Sequence, residues 1–184
     1  MKDISQDTIA KAANGDHAAF KEIYDVCSGF VYSVALRIVN NNTDAEEVTQ
    51  EVFIKMHKSL KNFGFRSSFK TWLYRIATNY AINAYHRQVK ERNRGADFEV
   101  ASNTIATEAH PIDKEDQNKL LERLLKPLTG EQRACIILRE IEGLSYQEIA
   151  ATLKINLNTL KTRLKRAREA ILVSSQREVI QNEL

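Results

Sequence analysis

Residues that interrupt helices are scarce in this chain: its 184 residues include only two prolines and six glycines. Long helices can therefore run without a break. Strand signals are also missing, because no segment alternates apolar and polar residues for long. No Asn-Gly or Asp-Gly pair separates two β-rich runs, as a hairpin would require. The sequence predicts an all-α protein.

Cysteine and histidine are too few and too scattered for a disulfide framework or a metal centre. Cys27 and Cys135 each stand alone in apolar surroundings, which favours buried thiols and a reducing compartment. The four histidines show no ligand spacing to each other or to cysteine, so we expect no metal and no cofactor. The chain also lacks a membrane-spanning apolar run and a signal peptide, which predicts a cytoplasmic protein.

Charge is unevenly distributed along the chain, although the formal net charge is only +3. Residues 61–94 contain eight Lys or Arg and one acid, and residues 154–168 contain six Lys or Arg and no acid. Residues 95–122, between these blocks, contain seven acids and two lysines. Two basic blocks separated by an acidic segment indicate two contacts with a polyanion. The alternative is that both blocks are merely solvated helix faces.

Helical periodicity predicts four helices, a linker and four more helices. The first four would cover about residues 5–13, 16–40, 43–60 and 68–93. Asp16 would cap the second helix, and Thr43 with Glu46 would form a capping box for the third. Residues 95–112 have weak periodicity and many small polar side chains, which predicts a flexible linker. We therefore predict two small helical domains, residues 1–94 and 113–175, with a tail at residues 176–184.

The second domain carries the signature of a helix-turn-helix. Capping boxes are predicted at Thr129 and Ser145, and Gly143 would end the helix between them. A tight turn at residues 154–155 leads to Asn156, the predicted cap of a third helix. One stripe of that helix is predicted to be buried: Leu157, Leu160, Leu164, Ala167 and Ile171.

The opposite face of this third helix is basic and has no carboxylate before Arg168. Its residues are Asn158, Thr159, Lys161, Thr162, Lys165 and Arg166. A short helix, a tight turn and a second helix with a basic face match the geometry that places a recognition helix in the major groove of duplex DNA. Lysine and arginine would bind phosphates, and the short polar side chains would meet base edges. An amphipathic hairpin with a solvated basic face is the alternative.

The first domain contains a second candidate nucleic-acid surface. Its members recur every four residues along one helix: Arg75, Asn79, Asn83 and Arg87, with Trp72 and Tyr80 beside them. The preceding loop, residues 62–68, combines two phenylalanines with a glycine and an arginine. Aromatic rings next to amides and cations suit single-stranded DNA, whose unstacked bases pack on rings. Phe69 is expected to be a core residue, whereas Trp72 is compatible with either the core or the surface.

The helix that precedes this loop begins with acidic and amide side chains: Asp44, Glu46, Glu47, Gln50 and Glu51. Acids in the first turns of a helix interact favourably with its dipole, so they do not indicate a function by themselves. As a surface, however, they repel DNA and indicate a protein partner.

Four segments, taken in order, resemble bacterial sigma factors of the sigma-70 family, and specifically the small two-domain extracytoplasmic-function type (group IV). The segments are residues 44–53 (DAEEVTQEVF), 68–77 (SFKTWLYRIA), 140–150 (EIEGLSYQEIA) and 159–168 (TLKTRLKRAR). The resemblance extends from about Asp16 to Ile171. It implies a transcription initiation factor that binds core RNA polymerase and directs it to promoters, and that is not an enzyme.

The resemblance also implies roles for individual residues. The first domain would dock on the clamp helices of the largest polymerase subunit through Asp44, Glu47, Gln50, Glu51 and Phe53. It would melt and capture the minus-10 element through Phe63, Phe65, Arg66, Ser67, Trp72, Arg75, Asn79 and Asn83. The second domain would read the duplex minus-35 element through Asn158, Thr159, Lys161, Thr162, Arg163, Lys165 and Arg166. The linker would pass near the RNA exit path, and an anti-sigma factor, commonly membrane-bound, would hold the protein inactive.

Three features depart from the family pattern, and one of them is Asn158, which stands where glycine is often found. Lys154 stands in the turn where glycine is usual, and a lysine adopts a left-handed conformation only at a cost in free energy. The loop reads Phe-Gly-Phe-Arg where Phe-Arg-Gly is commoner.

Two other classes of protein remain as alternatives. One is a free-standing helix-turn-helix regulator whose N-terminal half senses a ligand or dimerises, and the other is a nucleic-acid enzyme, which would need clustered carboxylates for metal ions.

Overall fold

The computed structural model describes residues 4–95 and 120–182 of the chain. Within these two ranges the regular structure is helical and includes no strand, which confirms the predicted all-α class. The predicted linker at residues 95–112 and the predicted start of the second domain at Asp113 lie outside the described residues, apart from the last residue of a helix that ends at Gly95.

The first domain consists of four helices. They are α1 (Gln6–Ala13), α2 (His17–Val39), α3 (Asn42–Ser59) and α4 (Phe69–Gly95), with a 3-10 turn (Leu60–Asn62) after α3. The Asp16 carboxylate caps α2 as predicted, accepting hydrogen bonds from the backbone N–H groups of Ala18 and Ala19 at 2.8 and 3.0 Å. These hydrogen bonds hold the pKa of Asp16 below its usual value.

The predicted capping box at Thr43 is wrong. The cap of α3 is Asn41, whose side-chain oxygen accepts from the backbone N–H of Asp44 at 3.0 Å. The reason lies in the preceding turn, where Asn40 adopts a left-handed conformation (φ 55°) and ends α2. This leaves Asn41 extended, as a capping residue must be, and asparagine caps a helix at least as well as threonine.

The second domain contains the predicted helix-turn-helix. Helical residues 120–125, labelled α5, are followed by α6 (Gly130–Ile136), α7 (Tyr146–Leu153) and α8 (Leu157–Asn182). Both predicted capping boxes are confirmed, with Gln132 paired to Thr129 and Glu148 paired to Ser145. Beyond α6 the chain continues as a π-helical turn (Ile137–Ile141), where a regular α-helix was predicted.

The buried apolar residues of the two domains form one continuous cluster. In the first, α2, α3 and α4 pack around fully buried residues such as Ile23, Met56 and Leu73. In the second, α6, α7 and α8 bury Leu160, Leu164 and Ala167 of the predicted stripe, and Ile171 is half-buried. Leu157 does not belong to this stripe, because its side chain is 39% exposed.

The exposure of Leu157 corrects the predicted stripe and has a geometric cause. At about 100° per residue, Leu157 points about 50° away from the mean direction of the other four members of the stripe. It is also the first residue of α8, so no earlier turn of the helix shields it.

The turn between α7 and α8 forms despite the lysine. Lys154 adopts a left-handed conformation (φ 53°, ψ 44°), and its backbone N–H donates to the carbonyl of Ala150. The N–H of Ile155 donates to the same carbonyl at 3.0 Å, which satisfies the last turn of α7 in the manner of a Schellman motif.

Candidate nucleic-acid interface

The predicted recognition face of α8 is present and open to solvent. Asn158, Lys161, Thr162, Lys165 and Arg166 are exposed, and Thr159 is half-buried. A shallow groove runs across the first turns of the helix. It is lined by Asn156, Leu157, Asn158, Thr159, Thr162, Arg163 and Arg166. This face therefore combines cations with hydrogen-bonding groups, as direct reading of duplex DNA requires.

Two local hydrogen bonds order the start of this groove. The Asn156 side-chain oxygen accepts from the backbone N–H of Thr159 at 2.8 Å and caps α8 as predicted. The Thr162 hydroxyl donates to the carbonyl of Asn158 at 2.9 Å. The Thr162 oxygen keeps its lone pairs available as acceptors for a ligand.

Arg163 is the predicted DNA-binding residue that turns partly inward. It lines the groove, yet it is half-buried and lies beside the thiol of Cys135 on α6. Burial raises the pKa of the Cys135 thiol to about 11, and the Arg163 guanidinium acts in the opposite direction. Burial likewise raises the pKa of Cys27 to about 11, and both cysteines are buried, as predicted.

Carboxylates neutralise the far end of the basic face. Arg168 donates to Glu140 of the π-helical turn at 2.7 Å, and Lys165 lies 3.8 Å from Glu169. Among the described residues, Lys161 and Arg166 have no ion-pair partner. The most available positive charge therefore lies on the first three turns of α8, next to the groove.

The loop before α4 presents an aromatic cluster to solvent. The Phe63 ring is buried at its centre and lies 5.0 Å from Phe65 and 5.1 Å from Trp72, measured between ring centroids. Phe69 is buried, as expected, whereas Trp72 is half-buried and forms both core and surface. The outer member is Phe65, which is 51% exposed.

Phe65 is held in an unusual backbone conformation. Gly64 and Phe65 are both left-handed, with φ of 59° and 51°. A bulky side chain rarely adopts this conformation, and strained residues of this kind cluster at binding sites. Of the next two loop residues, Arg66 is exposed and Ser67 is half-buried.

Two residues of the predicted stripe on α4 are exposed, and the other two form hydrogen bonds to other helices. Asn79 and Asn83 are exposed. Arg87 instead donates to Glu47 of α3 at 3.2 Å, and Arg75 donates to the carbonyl of Ala151 in α7 at 2.9 Å. The Nε–H of Arg75 is buried without a hydrogen-bond partner in the described part of the chain.

The acidic start of α3 forms the predicted surface, except at Phe53. Glu47 and Gln50 are exposed, and Asp44 and Glu51 are half-buried. The amide of Gln88 on α4 donates to the Asp44 carboxylate, which fixes α3 against α4.

Phe53 was predicted to contact a protein partner, but only 6% of it is exposed. Its ring lies 4.6 Å from that of Tyr24, and it shares the inner face of α3 with Val52 and Met56. The exposed apolar groups of this region are Tyr24 (45%) and Ile54 (56%), which sequence reasoning missed. The available signal was an apolar side chain on the polar side of the helical wheel.

The two domains pack against each other through α4, and the sequence did not predict this. The Tyr74 hydroxyl donates to the Glu142 carboxylate at 2.5 Å, and Arg37 of α2 lies 3.8 Å from the same carboxylate. Burial, together with Glu142, raises the pKa of Tyr74, so the hydroxyl stays protonated. The π-helical turn ends beside Glu142 and brings it to this position.

Further along α4, the interface includes a histidine and a tyrosine. His86 lies 2.9 Å from Glu131, and the Tyr85 hydroxyl donates to the Leu128 carbonyl at 3.2 Å. Burial opposes ionisation of Glu131, but its own backbone N–H and His86 outweigh burial and lower its pKa.

Arg133 connects both domains from a buried position. Its guanidinium donates to the Ile38 carbonyl of α2 at 2.9 Å and to the Leu125 carbonyl of its own domain at 3.0 Å. The same group lies over the Tyr85 ring, 5.0 Å from its centroid. We call the arrangement held by the Tyr74, Arg75, His86 and Arg133 contacts the closed arrangement.

Two family descriptions match the chain, and together they cover most of it. Sigma-70 region 2 matches residues 23–91, and Sigma-70, region 4 matches residues 118–171. The chain is also 31% identical over 173 residues to the ECF RNA polymerase sigma factor SigW of Bacillus subtilis (strain 168), covering 89% of this chain and 92% of that protein. The chain belongs to the extracytoplasmic-function group of the sigma-70 family. This sigma factor directs RNA polymerase to promoters.

Two solved structures share the fold of the sigma factor. One is CnrH in complex with the cytosolic domain of CnrY, with a TM-score of 0.65 and 23% identity, covering 90% of this chain and 93% of that one. The other is the sigma factor RpoE in complex with the anti-sigma factor NepR from Bartonella quintana, with the same TM-score and identity, covering 85% and 96%.

The matched regions contain all the candidate surfaces of the sigma factor. Region 2 spans the acidic start of α3, the aromatic loop and the stripe on α4, and region 4 spans the helix-turn-helix. The described residues bring together no group of three or more metal-ligating side chains. No helix in the described ranges is both long enough and apolar enough to cross a lipid bilayer.

Proposed function

We propose that this sigma factor divides promoter recognition between its two domains. The first domain docks on core polymerase and captures the melted minus-10 element, and the second reads the minus-35 element as duplex. The observation that supports this most strongly is the presence of two exposed surfaces of unlike chemistry. One is aromatic and amide-rich, around Phe65, Trp72 and Asn79, and the other is the basic groove of α8.

The groove of α8 suits duplex DNA because it presents polar groups between cations. Asn158 and Thr159 lie at the N-terminal end of α8, the part of a recognition helix that contacts base edges. Lys161 and Arg166 are exposed beside them and are suited to phosphates or guanine edges. Lys165 and Arg163 contribute less, because Glu169 partly neutralises the first and the second turns toward Cys135.

The aromatic loop and α4 suit single-stranded DNA. Exposing a base costs a few kcal/mol per nucleotide, and stacking on a protein ring offsets about 1–3 kcal/mol of this. Phe65 offers such a ring, half of which is exposed, and Trp72 offers a second that is half-buried. Arg66, Ser67, Asn79 and Asn83 supply hydrogen-bonding groups around them, so melting proceeds on binding energy and needs no catalytic group.

The acidic surface of α3 is the proposed contact with the clamp helices of the largest polymerase subunit. Its polar members are Asp44, Glu47, Gln50 and Glu51, and its exposed apolar members are Tyr24 and Ile54. Phe53 acts here from beneath, because its ring supports Tyr24. Apolar anchors rimmed by polar groups are typical of protein interfaces.

Use of both DNA surfaces requires the closed arrangement to open. The two elements lie about 25 base pairs apart, which is roughly 85 Å of duplex at 3.4 Å per base pair. In the closed arrangement α7 packs on α4 and α8 packs on α7, so the two readers are separated by roughly 20 Å, or two interhelical distances. Polymerase would hold the separated domains at the distance that the promoter sets, with the linker near the RNA exit path.

An anti-sigma factor is the proposed regulator. Both of the solved structures named above contain a bound protein, described in one case as an anti-sigma factor and in the other as a cytosolic domain. By the same logic this sigma factor would act in the cytoplasm and be held there by a partner that spans the membrane. Such a partner would favour the closed arrangement, which is incompatible with binding both promoter elements.

In vitro transcription with core polymerase on a library of promoter sequences tests the proposal. The sigma factor should direct initiation from templates that share two elements, and scrambling either element should abolish it. Transcription that is unchanged by adding the protein would contradict the proposal. Tight, symmetric binding of duplex DNA without polymerase would support a free-standing regulator instead.

A further inference from the structure

Leu157 places an apolar side chain on the solvent-exposed side of the recognition helix. It is 39% exposed and lines the groove together with Asn158, Thr159 and Arg166. Its neighbours in the apolar pattern of α8 behave differently, because Leu160 is fully buried.

The fold does not account for the leucine at this position. Asn156 caps the helix, and Ile155 supplies the apolar contact of the turn with the core. At the first position of a helix, proline or an acidic residue is favoured over leucine. Isolated exposed leucines are common on protein surfaces, so the exposure alone carries no argument. The location of Leu157 does need an explanation, because the other residues that line the groove are polar or cationic.

Duplex DNA offers one apolar group in the major groove, the C5-methyl of thymine. The N-terminal residues of a recognition helix are the ones that reach base edges, and Leu157 is the first residue of α8. The flanking cations match the charge of the duplex, and Asn158 and Thr159 supply the hydrogen bonds that an adjacent base pair requires.

We propose that Leu157 packs against the methyl group of a thymine in the minus-35 element and makes promoter choice depend on that methyl. This inference rests on the proposed function of α8 as the reader of the minus-35 duplex. Burial of one methyl group corresponds to roughly fourfold in affinity, which is the size of the expected discrimination.

The experiment uses holoenzyme assembled from core polymerase and the full chain, on a promoter duplex selected from the library. Each thymine of the minus-35 element, on either strand, is replaced in turn by uracil, which lacks only the C5-methyl. Binding of each duplex is measured with the wild-type protein, with Leu157→Ala and with Leu172→Ala. Leu172 is the matched control because it is an exposed leucine (60%) on the same helix, outside the groove.

We expect the natural protein to bind one uracil duplex about fourfold more weakly than its thymine counterpart. Leu157→Ala should bind the two equally, and Leu172→Ala should keep the fourfold ratio. Circular dichroism checks that both variants are folded. Because each result is a ratio within one variant, a general effect on polymerase binding cancels.

Several results would overturn the inference. They are a natural protein that is insensitive to uracil at every position, a selected element without thymine, and a Leu157→Ala variant that keeps the ratio. If the holoenzyme still discriminates minus-35 sequences in those cases, the proposed function stands and the role of Leu157 fails. If it shows no minus-35 preference at all, the proposed function of α8 fails instead.

Discussion

The recognition face of α8 stands open to solvent, whereas the stripe on α4 is half occupied by the protein's own groups. On α8, Lys161 and Arg166 are exposed without an ion-pair partner in the described residues. On α4, Arg75 is bound to a carbonyl of the other domain and Arg87 to Glu47. If the proposed division holds, the minus-35 reader is accessible in the closed arrangement, whereas Arg75 of the proposed minus-10 reader becomes available only when the domains separate.

The largest effect is expected from two substitutions on the α4 stripe. Asn79→Ala combined with Asn83→Ala should reduce promoter opening about 30-fold or more, because contacts to bases contribute roughly 1–3 kcal/mol each. Closed-complex binding should be unchanged. Permanganate reactivity of the melted region measures the first quantity, and filter binding at low temperature measures the second. Asn93→Ala is the control, because Asn93 is exposed on the same helix beyond the stripe.

The converse substitution is Arg166→Ala. It should weaken closed-complex binding about tenfold by removing a contact of the duplex reader, while the opening step per bound complex is unchanged. Lys165→Ala should have a smaller effect, because Glu169 already lies 3.8 Å from that lysine. Arg123→Ala, an exposed arginine outside the groove, serves as control. A closed-complex defect shared by the Asn79 and Arg166 variants would contradict the division between the two surfaces.

Tyr74→Phe tests whether polar contacts hold the closed arrangement. Loss of the hydroxyl removes the hydrogen bond to Glu142 and should shift the closed-to-open ratio by about 1 kcal/mol, roughly fivefold. Small-angle scattering of the full chain without polymerase should show a larger radius of gyration. Tyr24→Phe is the matched control, because Tyr24 is exposed outside the interface. Equal radii for the two variants would show that this contact does not restrain the domains.

The smallest expected effect concerns the turn that positions α8. Lys154→Gly should raise the free energy of unfolding by roughly 0.5 kcal/mol, because glycine relieves the left-handed strain but gains entropy in the unfolded chain. Lys161→Gly, in the middle of the helix, should lower it by about 1 kcal/mol. Urea unfolding measures both changes. A decrease for Lys154→Gly would mean that the lysine side chain contributes a stabilising contact that outweighs the strain.

Local features of the fold were predictable because their causes lie a few residues apart. The capping boxes at Thr129 and Ser145 each depend on residues three positions apart, and both are confirmed. The charge segregation on α8 is likewise a helical-wheel property. The cap of α3 was not predictable, because Asn41 and Thr43 both qualify and the left-handed Asn40 decides between them.

Neither the burial of single residues nor the contacts between the domains could be predicted from the sequence. Phe53 fits a surface role by motif, yet the packing of Tyr24 covers it. The residues that hold the closed arrangement, such as Arg133 and Ile38, lie far apart along the chain and follow no period. A buried arginine bound to backbone carbonyls leaves no pattern in sequence, because any residue supplies a carbonyl.

Gly130 allows α6 to lie close to Tyr85 of α4 in the closed arrangement. A Cβ at this position would lie 2.8 Å from Cδ1 and 3.1 Å from Cγ of Tyr85, near the root of that side chain, where rotation offers little relief. Gly130→Ala would therefore force Tyr85 of α4 away from α6. One methyl group would shift the equilibrium toward parted domains, which would help to isolate what each contributes to promoter binding.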